Sequence, residues 1–440
     1  MADAFLKFVV LVLLVRGVST LVFLCQSFLW LGRKQTNKEG YKFLHRPKVT
    51  ILIPVLREQK RIVETLNYFV KHFISQKVSI VVITTQREYD SLFNGLSTND
   101  LVKKFIKSNK LENKITCLNY PDKKGLMAHQ LNYVLAKTKL NNNSFIAIYN
   151  ADSRPHPKTI ELFYEQLYNY PSAKIFQQSS VFLKNFDKLS TRSRLVNMFL
   201  KSSAILQTRW TFAHEFPRLL RQSVSKSKLY KKLANAHVVG HGLIIQTKVL
   251  KKVGGFPTEN VTEDLFLGYL LRSKGYSIYP LLSIEIAESP STINSLWNQK
   301  YVWFWGPMKY WGYFKYLIAN SKTLKVRNTM PPFVFAIQGL VSALAWLTSG
   351  PIVLICLISP FLTSDLKLVL FSYLAIIIYG PLQYFIVYYK YCGRNLMEGV
   401  SVSLIGIFAI LFNSIPPYFS IISEAKHAIT GEPIYKPKTE

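Results

Sequence analysis

Two carboxylates stand where this sequence could do chemistry. Asp152 closes the run IYNADSRPHP directly behind an apolar stretch, and Thr262-Glu263-Asp264 opens the amphipathic run that continues LFLGYLLRSKGY. A carboxylate at the end of a strand can hold a divalent cation, which in turn neutralises a diphosphate. The same letters also suit an Asx turn ahead of a proline-rich loop. A carboxylate at the head of a helix can accept a proton from an attacking hydroxyl, which would make Asp264 a general base. Acidic residues at a helix start equally cap free N–H groups and complement the helix dipole.

Other residues could assist. Gln299 and Trp303 are four apart and share one face if the chain there is helical. Such a pair can hydrogen-bond and stack against a sugar ring, or simply anchor a helix at a membrane surface. Lys123, Lys124 and Gly125 precede the helical run LMAHQLNYVL, and a helix start with lysines and a glycine suits phosphate. A basic surface turn reads the same way.

These residues need a scaffold. Strand-like runs lie at 49–56, 78–85, 115–120 and 145–150, with helical patterns at 59–74, 97–108 and 126–138. Strands alternating with helices predict an α/β domain with a parallel sheet covered on both faces. Ligands of such sheets lie beyond the carboxyl ends of the strands, so the polar residues after each strand become the candidates.

The chain has 440 residues and a formal net charge of +31, from 55 Lys+Arg against 24 Asp+Glu. That excess calls for an anionic partner. The apolar segments favour anionic lipids, and without a recognised basic reading motif no nucleic acid partner is expected. Cys25, Cys117, Cys356 and Cys392 are scattered, without CxxC spacing, so neither a disulfide framework nor a zinc site is indicated.

Residues 4–31 are long and apolar enough to cross a bilayer, although Arg16 must find a partner there or tilt the helix. A signal peptide would have a shorter apolar core and a small-residue cleavage site. Arg33, Lys34 and Lys38 follow, which places that side, and the catalytic domain with it, in the cytoplasm. Residues 184–235 hold twelve Lys/Arg against Asp187 and Glu215. They read as a basic amphipathic segment on a membrane surface or as a solvated surface helix. The aromatic stretch WNQKYVWFWGPMKYWGYFKY at 297–316 reads as an interfacial belt. Apolar blocks follow at 332–359, 367–388 and 400–422, the first broken by Pro351 and the last by Pro416 and Pro417. The expected organisation is a transmembrane helix at 1–32, a catalytic domain at 47–296, an interface segment at 297–330, helical spans at 331–424 and a tail at 425–440.

The order of these elements carries more than any one of them. KKG-x-x-x-x-x-LN, a strand-end Asn-Ala-Asp, GHG before a helix, TED, then Q-x-x-x-W before apolar spans resembles family 2 glycosyltransferases. The likeness is to their membrane-integrated branch, the synthases of cellulose, hyaluronan and poly-N-acetylglucosamine, and runs from about 48 to 304. The resemblance implies a GT-A fold with a Rossmann-like mixed sheet, a UDP-sugar donor, Mn²⁺ or Mg²⁺, and inversion at the sugar. It assigns Asp264 as catalytic base with Glu263 its neighbour. Asp152 would be the metal ligand, with Asn150 standing at the other position of the metal pair. Pro54, Glu58, Thr85, Lys123 and Lys124 fall to the donor side, and His241, Gln299 and Trp303 to the acceptor side.

Three departures from the pattern stand out: Asn150 for an Asp, Ile83-Thr84-Thr85-Gln86 where relatives end strand two with Asp, and Val302 for the Arg of the acceptor motif. Gln207-Thr208-Arg209-Trp210 precedes TED and has the wrong spacing to supply that Arg. Lys300 on a regular helix points elsewhere. The expected activity is hexosyl transfer to a hydroxyl of a membrane-associated lipid or glycan. A processive polysaccharide synthase and a non-catalytic membrane subunit with a decayed transferase domain remain open.

Overall fold

A computed structural model describes residues 2–32, 46–76, 78–90, 95–189, 193–258, 262–326, 328–393 and 395–431. Its centre is one eight-stranded sheet. The strands are β1 (Val49–Pro54), β2 (Ser79–Thr85), β3 (Ile115–Tyr120), β4 (Phe145–Ile148), β5 (Arg154–Pro155), β6 (Ile175–Val181), β7 (Leu243–Gln246) and β8 (Tyr279–Ile286), in spatial order β3-β2-β1-β4-β7-β6-β8-β5. Neighbours from β3 to β4 run parallel, as the sequence predicts. β7 is antiparallel to both β4 and β6, β8 returns parallel to β6, and β5 pairs antiparallel at the edge. The sheet is therefore mixed.

The helices in chain order are α1 (Ala2–Leu31), α2 (Ile62–Phe73), α3 (Thr98–Ser108), α4 (Met127–Lys137), α5 (Thr159–Asn169), α6 (Arg194–Trp210), α7 (Phe216–Ser223), α8 (Lys228–Leu233) and α9 (Thr247–Lys252). They continue with α10 (Glu263–Ser273), α11 (Ile293–Met308), α12 (Tyr310–Ala319), α13 (Ser321–Leu324), α14 (Met330–Leu357), α15 (Leu366–Tyr379), α16 (Pro381–Tyr391), α17 (Leu396–Asn413) and α18 (Ile415–Thr430). Side-chain alternation along β1 explains the two covered faces. Ile51 and Ile53 join Phe69 of α2, Val102 of α3 and Phe163 of α5 in one core, while Leu52 joins Leu131 of α4 and Leu267 of α10 in another. Ser97 and Asp100 cap the start of α3 reciprocally.

Four helical stretches are long and apolar enough to cross a membrane: Asp3–Leu31, Met330–Leu357, Leu366–Tyr391 and Leu396–Thr430. On α1 the residues Phe5, Phe8, Leu11, Val15 and Val18 are exposed while Leu6, Val9, Leu13 and Leu24 are buried. An apolar side chain in both classes is what a lipid-facing helix requires. Arg16 finds its partner: Nη2 donates to the Ala345 carbonyl at 2.7 Å and to Tyr379 Oη at 3.2 Å.

Several expectations need correction. Pro351 does not break α14, which runs through it, because neighbouring helices support a proline inside an apolar bundle. The break expected at Pro416 and Pro417 is present: α17 ends at Asn413 and α18 begins at Ile415 with both prolines in its first turn, where a missing N–H goes unnoticed. The basic stretch 184–235 is not a surface helix along α6. Leu200 and Ser202 to Arg209 are buried, with the half-buried Lys201 paired to Glu398 at 2.6 Å and Ser202 Oγ donating to the Val402 carbonyl at 2.7 Å. The aromatic stretch turns largely inward, with Trp297 against Phe412 and Phe419, and Phe304 against Trp346. Arg33, Lys34, Lys38 and residues 432–440 lie outside the described residues.

Candidate functional site

A cavity of 490 Å³ opens where β1 and β4 end and extends to α14. Parallel strands aim their carboxyl ends at one edge of the sheet, so the residues just past them meet there. Pro54 closes β1, and Asn150, Ala151 and Asp152 follow β4; all line the cavity. Glu263 and Asp264 enter from the first turn of α10, and Gln299, Val302 and Trp303 from α11.

Asp264 is held by two backbone donors. Gly240 N–H reaches its Oδ2 at 2.9 Å and Leu265 N–H its Oδ1 at 2.8 Å. The Gly240 loop is itself fixed from β6: Gln177 Oε1 accepts from Val239 N–H at 3.0 Å, and Gln177 Nε2 donates to the His241 carbonyl at 2.8 Å. Gly242, at φ 69°, allows the chain to turn into β7 against the Gln178 carbonyl.

His241 lines the cavity and pairs through Nδ1 with the fully buried Glu285 at 3.0 Å, with Ser180 Oγ at 3.2 Å. Burial works against a charge on the ring, but the Glu285 carboxylate and its hydrogen bond, helped by Asp152 and Glu215, raise its pKa to about 9. The imidazolium places a positive charge in the cavity wall at neutral pH.

Asp152 Oδ2 accepts the Glu288 N–H at 3.3 Å. The Glu288 side chain is clamped between Arg61 at 3.0 Å and Lys184 at 2.9 Å, and Arg61 also faces Glu58 at 3.8 Å. Glu58 and Arg61 line the cavity as well.

The structure thus gathers Pro54, Glu58, Asn150, Asp152, His241, Glu263, Asp264, Gln299 and Trp303 around one space. Thr85, Lys123 and Lys124 are not among its lining. Thr85 Oγ1 accepts from Arg87 N–H at 3.3 Å, and both lysines are exposed on the turn after β3. Behind β2 the buried Glu88 accepts from Thr98 N–H at 2.7 Å, which anchors the start of α3.

Trp303 packs against Phe182, which in turn meets the His241 ring edge-on. Lys300 does reach this row: its Nζ lies 4.6 Å over the Trp303 ring and 3.3 Å from Gln207 Oε1. Burial lowers its pKa to about 7, with Glu215 opposing. Arg209 is instead enclosed among apolar helices, donating to Gln383 at 2.8 Å.

Gln177, Glu285 and Glu288 escaped the sequence reading. The run Gln177-Gln178-Ser179-Ser180 inside a buried strand was a usable signal, because buried polar side chains imply a network.

Residues 145–392 match the profile of glycosyl transferase family group 2. A curated relative from Sulfolobus acidocaldarius, described as a "Probable glycosyltransferase", is 22% identical over 280 residues, covering 62% of this chain. The chain spans 53% of that relative's length, about half. Among solved structures, a mannosyltransferase from Pyrobaculum calidifontis in complex with GDP-Man and Mn²⁺ is similar at 15% identity and a TM-score of 0.46, covering 88% of this chain and 100% of that one. Glucosyl-3-phosphoglycerate synthase from Mycobacterium tuberculosis, in complex with Mn²⁺, UDP and glucosyl-3-phosphoglycerate, is similar at 13% identity and a TM-score of 0.31, covering 55% and 71%.

Proposed function

This chain belongs to glycosyl transferase family group 2, and from that premise we propose that it moves a sugar, with inversion, from a nucleotide sugar to a hydroxyl of a membrane-associated acceptor. The observation that carries this reading is the shared cavity. It joins the strand-end Asp152 and the helix-head Asp264 to a face of the apolar helix α14, at Gly339, Ser342 and Trp346.

In this reading the acceptor oxygen attacks the anomeric carbon from the α10 side. Its proton passes to Asp264, whose carboxylate is oriented by the Gly240 and Leu265 amides. The bond from the anomeric carbon to the diphosphate breaks, and the nucleoside diphosphate departs on the side of Asp152. The His241 imidazolium in the cavity wall favours that developing charge. Trp303 and Gln299 offer a stacking face and an amide to the acceptor sugar.

The donor set suits a divalent cation of a particular kind. Among the described residues no three His, Cys, Asp or Glu side chains converge to cage one. Asp152, with the Asn150 amide beside it, matches the mode in which one or two protein oxygens bind the ion and diphosphate and water supply the rest. Bound there, Mn²⁺ or Mg²⁺ would neutralise leaving-group charge.

The lipid-facing helices beside the cavity favour an acceptor that stays in the bilayer, with the sheet domain on the cytoplasmic side and UDP as the first nucleotide to try. Nucleotide release by detergent-purified protein, against a panel of UDP- and GDP-sugars with Mn²⁺ or Mg²⁺ and lipid extract, tests the reading. Release with one donor that disappears in Asp264→Asn supports it. Silence with every donor, metal and lipid fraction favours the decayed-domain alternative, which Asn150 and Val302 feed. Product length separates a single transfer from processive synthesis.

A further inference from the structure

The α14 end of the cavity holds a group of charges that the transfer chemistry does not use. The run from α6 to α7 passes through a π-helical turn at Thr211–Glu215, an irregularity that accumulates at functional sites. In and beside this turn, Trp210, Glu215, Arg218 and Leu219 all line the cavity. Arg218 Nη2 donates to Ser342 Oγ of α14 at 3.0 Å. A guanidinium has five N–H donors in a planar fork, and no other hydrogen bond from Arg218 to a described residue occurs.

Positive charge collects around it. The charges of Arg16, Arg209, Arg218 and Arg221 all reach His214. Among the described residues none of these four arginines forms an ion pair with a carboxylate. Arg16 and Arg209 are satisfied by a carbonyl, Tyr379, Gln383 and Thr20, all neutral. Glu215 is the acidic neighbour whose charge reaches Arg218, but the two form no ion pair. Cations without an ion-pair partner beside helices this apolar call for an anion. Two buried polar atoms nearby also lack a partner: Asn235 Oδ1 and His237 Nδ1, both on cavity-lining residues.

We propose that this end of the cavity, built on Arg218 and Ser342, is a subsite for the phosphate of a lipid-linked acceptor. The inference rests on the transferase reading for the role of the bound lipid, though not for its binding. A guanidinium fork matches phosphate oxygens. The lipid character follows from α14 itself, which supplies Ser342 and is long and apolar enough to cross a membrane. Asp264 needs a hydroxyl, so the acceptor is a glycolipid with its phosphate at Arg218 and its sugar between Trp303 and Asp264.

The test is direct binding, with no donor present, by the full chain in neutral detergent. Hexadecyl phosphate, hexadecanol and inorganic phosphate are the probes, against wild type, Arg218→Gln, Arg218→Lys and Ser342→Ala. The subsite predicts hexadecyl phosphate bound at least about tenfold more tightly than hexadecanol, the scale of one charge-assisted contact. It also predicts a similar loss in Arg218→Gln, partial recovery in Arg218→Lys and a smaller loss in Ser342→Ala. If Arg218→Gln fails to fold, the Lys and Ala variants carry the comparison. Equal affinity for the phosphate and the alcohol overturns the proposal, as does selectivity that survives in the variants. Inorganic phosphate binding as tightly as hexadecyl phosphate overturns its lipid part. Selective, Arg218-dependent binding by a protein that turns over no donor keeps the subsite and sinks the transferase reading alone.

Discussion

The backbone N–H of Gly240 donates to Oδ2 of Asp264 at 2.9 Å, tying the loop before β7 to the head of α10. Twenty-four residues separate them in the chain. That contact helps to set the direction in which the carboxylate faces the cavity.

Asp264→Asn keeps one acceptor oxygen and loses the base. Turnover should fall about 10²–10⁴-fold, the usual contribution of a positioned general base. Stability should drop by about 1 kcal/mol or less, the scale of a weakened helix-start contact. Nucleotide release beside a thermal-unfolding curve checks both. Full turnover in this variant removes Asp264 from the mechanism.

Gly268→Ala tests the seat of α10. Inside a helix this change normally stabilises by about 1 kcal/mol. Here the added Cβ would stand 2.6 Å from His237 Cα and from Val238 N. The expected result is destabilisation of about 1–3 kcal/mol, with activity lost as Asp264 shifts from Gly240. A more stable, fully active variant would show that α10 does not depend on this contact.

The His241–Glu285 pair should make stability depend on pH. The pKa of His241 is raised to about 9, above the roughly 6.5 of an unfolded histidine. A raised folded value means the contribution is fully present below about pH 6.5 and is lost as pH climbs through about 9. Unfolding midpoints measured from pH 6 to 10 should therefore fall across that window, and Glu285→Gln should flatten the fall. An unchanged slope in Glu285→Gln would place the titration elsewhere.

Among the described residues Asp152 makes one hydrogen bond to the protein, accepting from the Glu288 N–H at 3.3 Å, so folding has little stake in it. Asp152→Ala should unfold close to wild type yet lose most nucleotide release, about a hundredfold or more if it holds the cation and not merely a turn. Stripping divalent ions with a chelator should silence the wild type, and adding Mn²⁺ or Mg²⁺ back should restore the wild type but not the variant. A variant that responds to added metal as the wild type does excludes Asp152 as the ligand.

Much of the parallel half of the sheet was legible because strand and helix periods are local. β1 to β4 and α2 to α4 fall within a few residues of their expected positions. Asp152, Asp264, Gln299 and Trp303 could be singled out because helix heads and strand ends are places where side chains reach ligands. The mixed half was not legible: β5 is two residues long, and β8 pairs with β6 across about a hundred residues.

Composition alone misplaced the α6 part of the basic segment. Its lysines and arginines suggested a surface, but Lys201 is matched by Glu398 and Arg209 by Gln383, from helices nearly two hundred residues away. Thr85, Lys123 and Lys124 have residue types suited to a nucleotide, yet the ends of β2 and β3 carry them away from the cavity lining. Residue types and spacing decide which elements form and which side chains are chemically able, because those are properties of short stretches. Which of them share a cavity, and that Glu285 charges His241 or Arg218 faces α14, depends on contacts between distant segments, and only the packed chain supplies those.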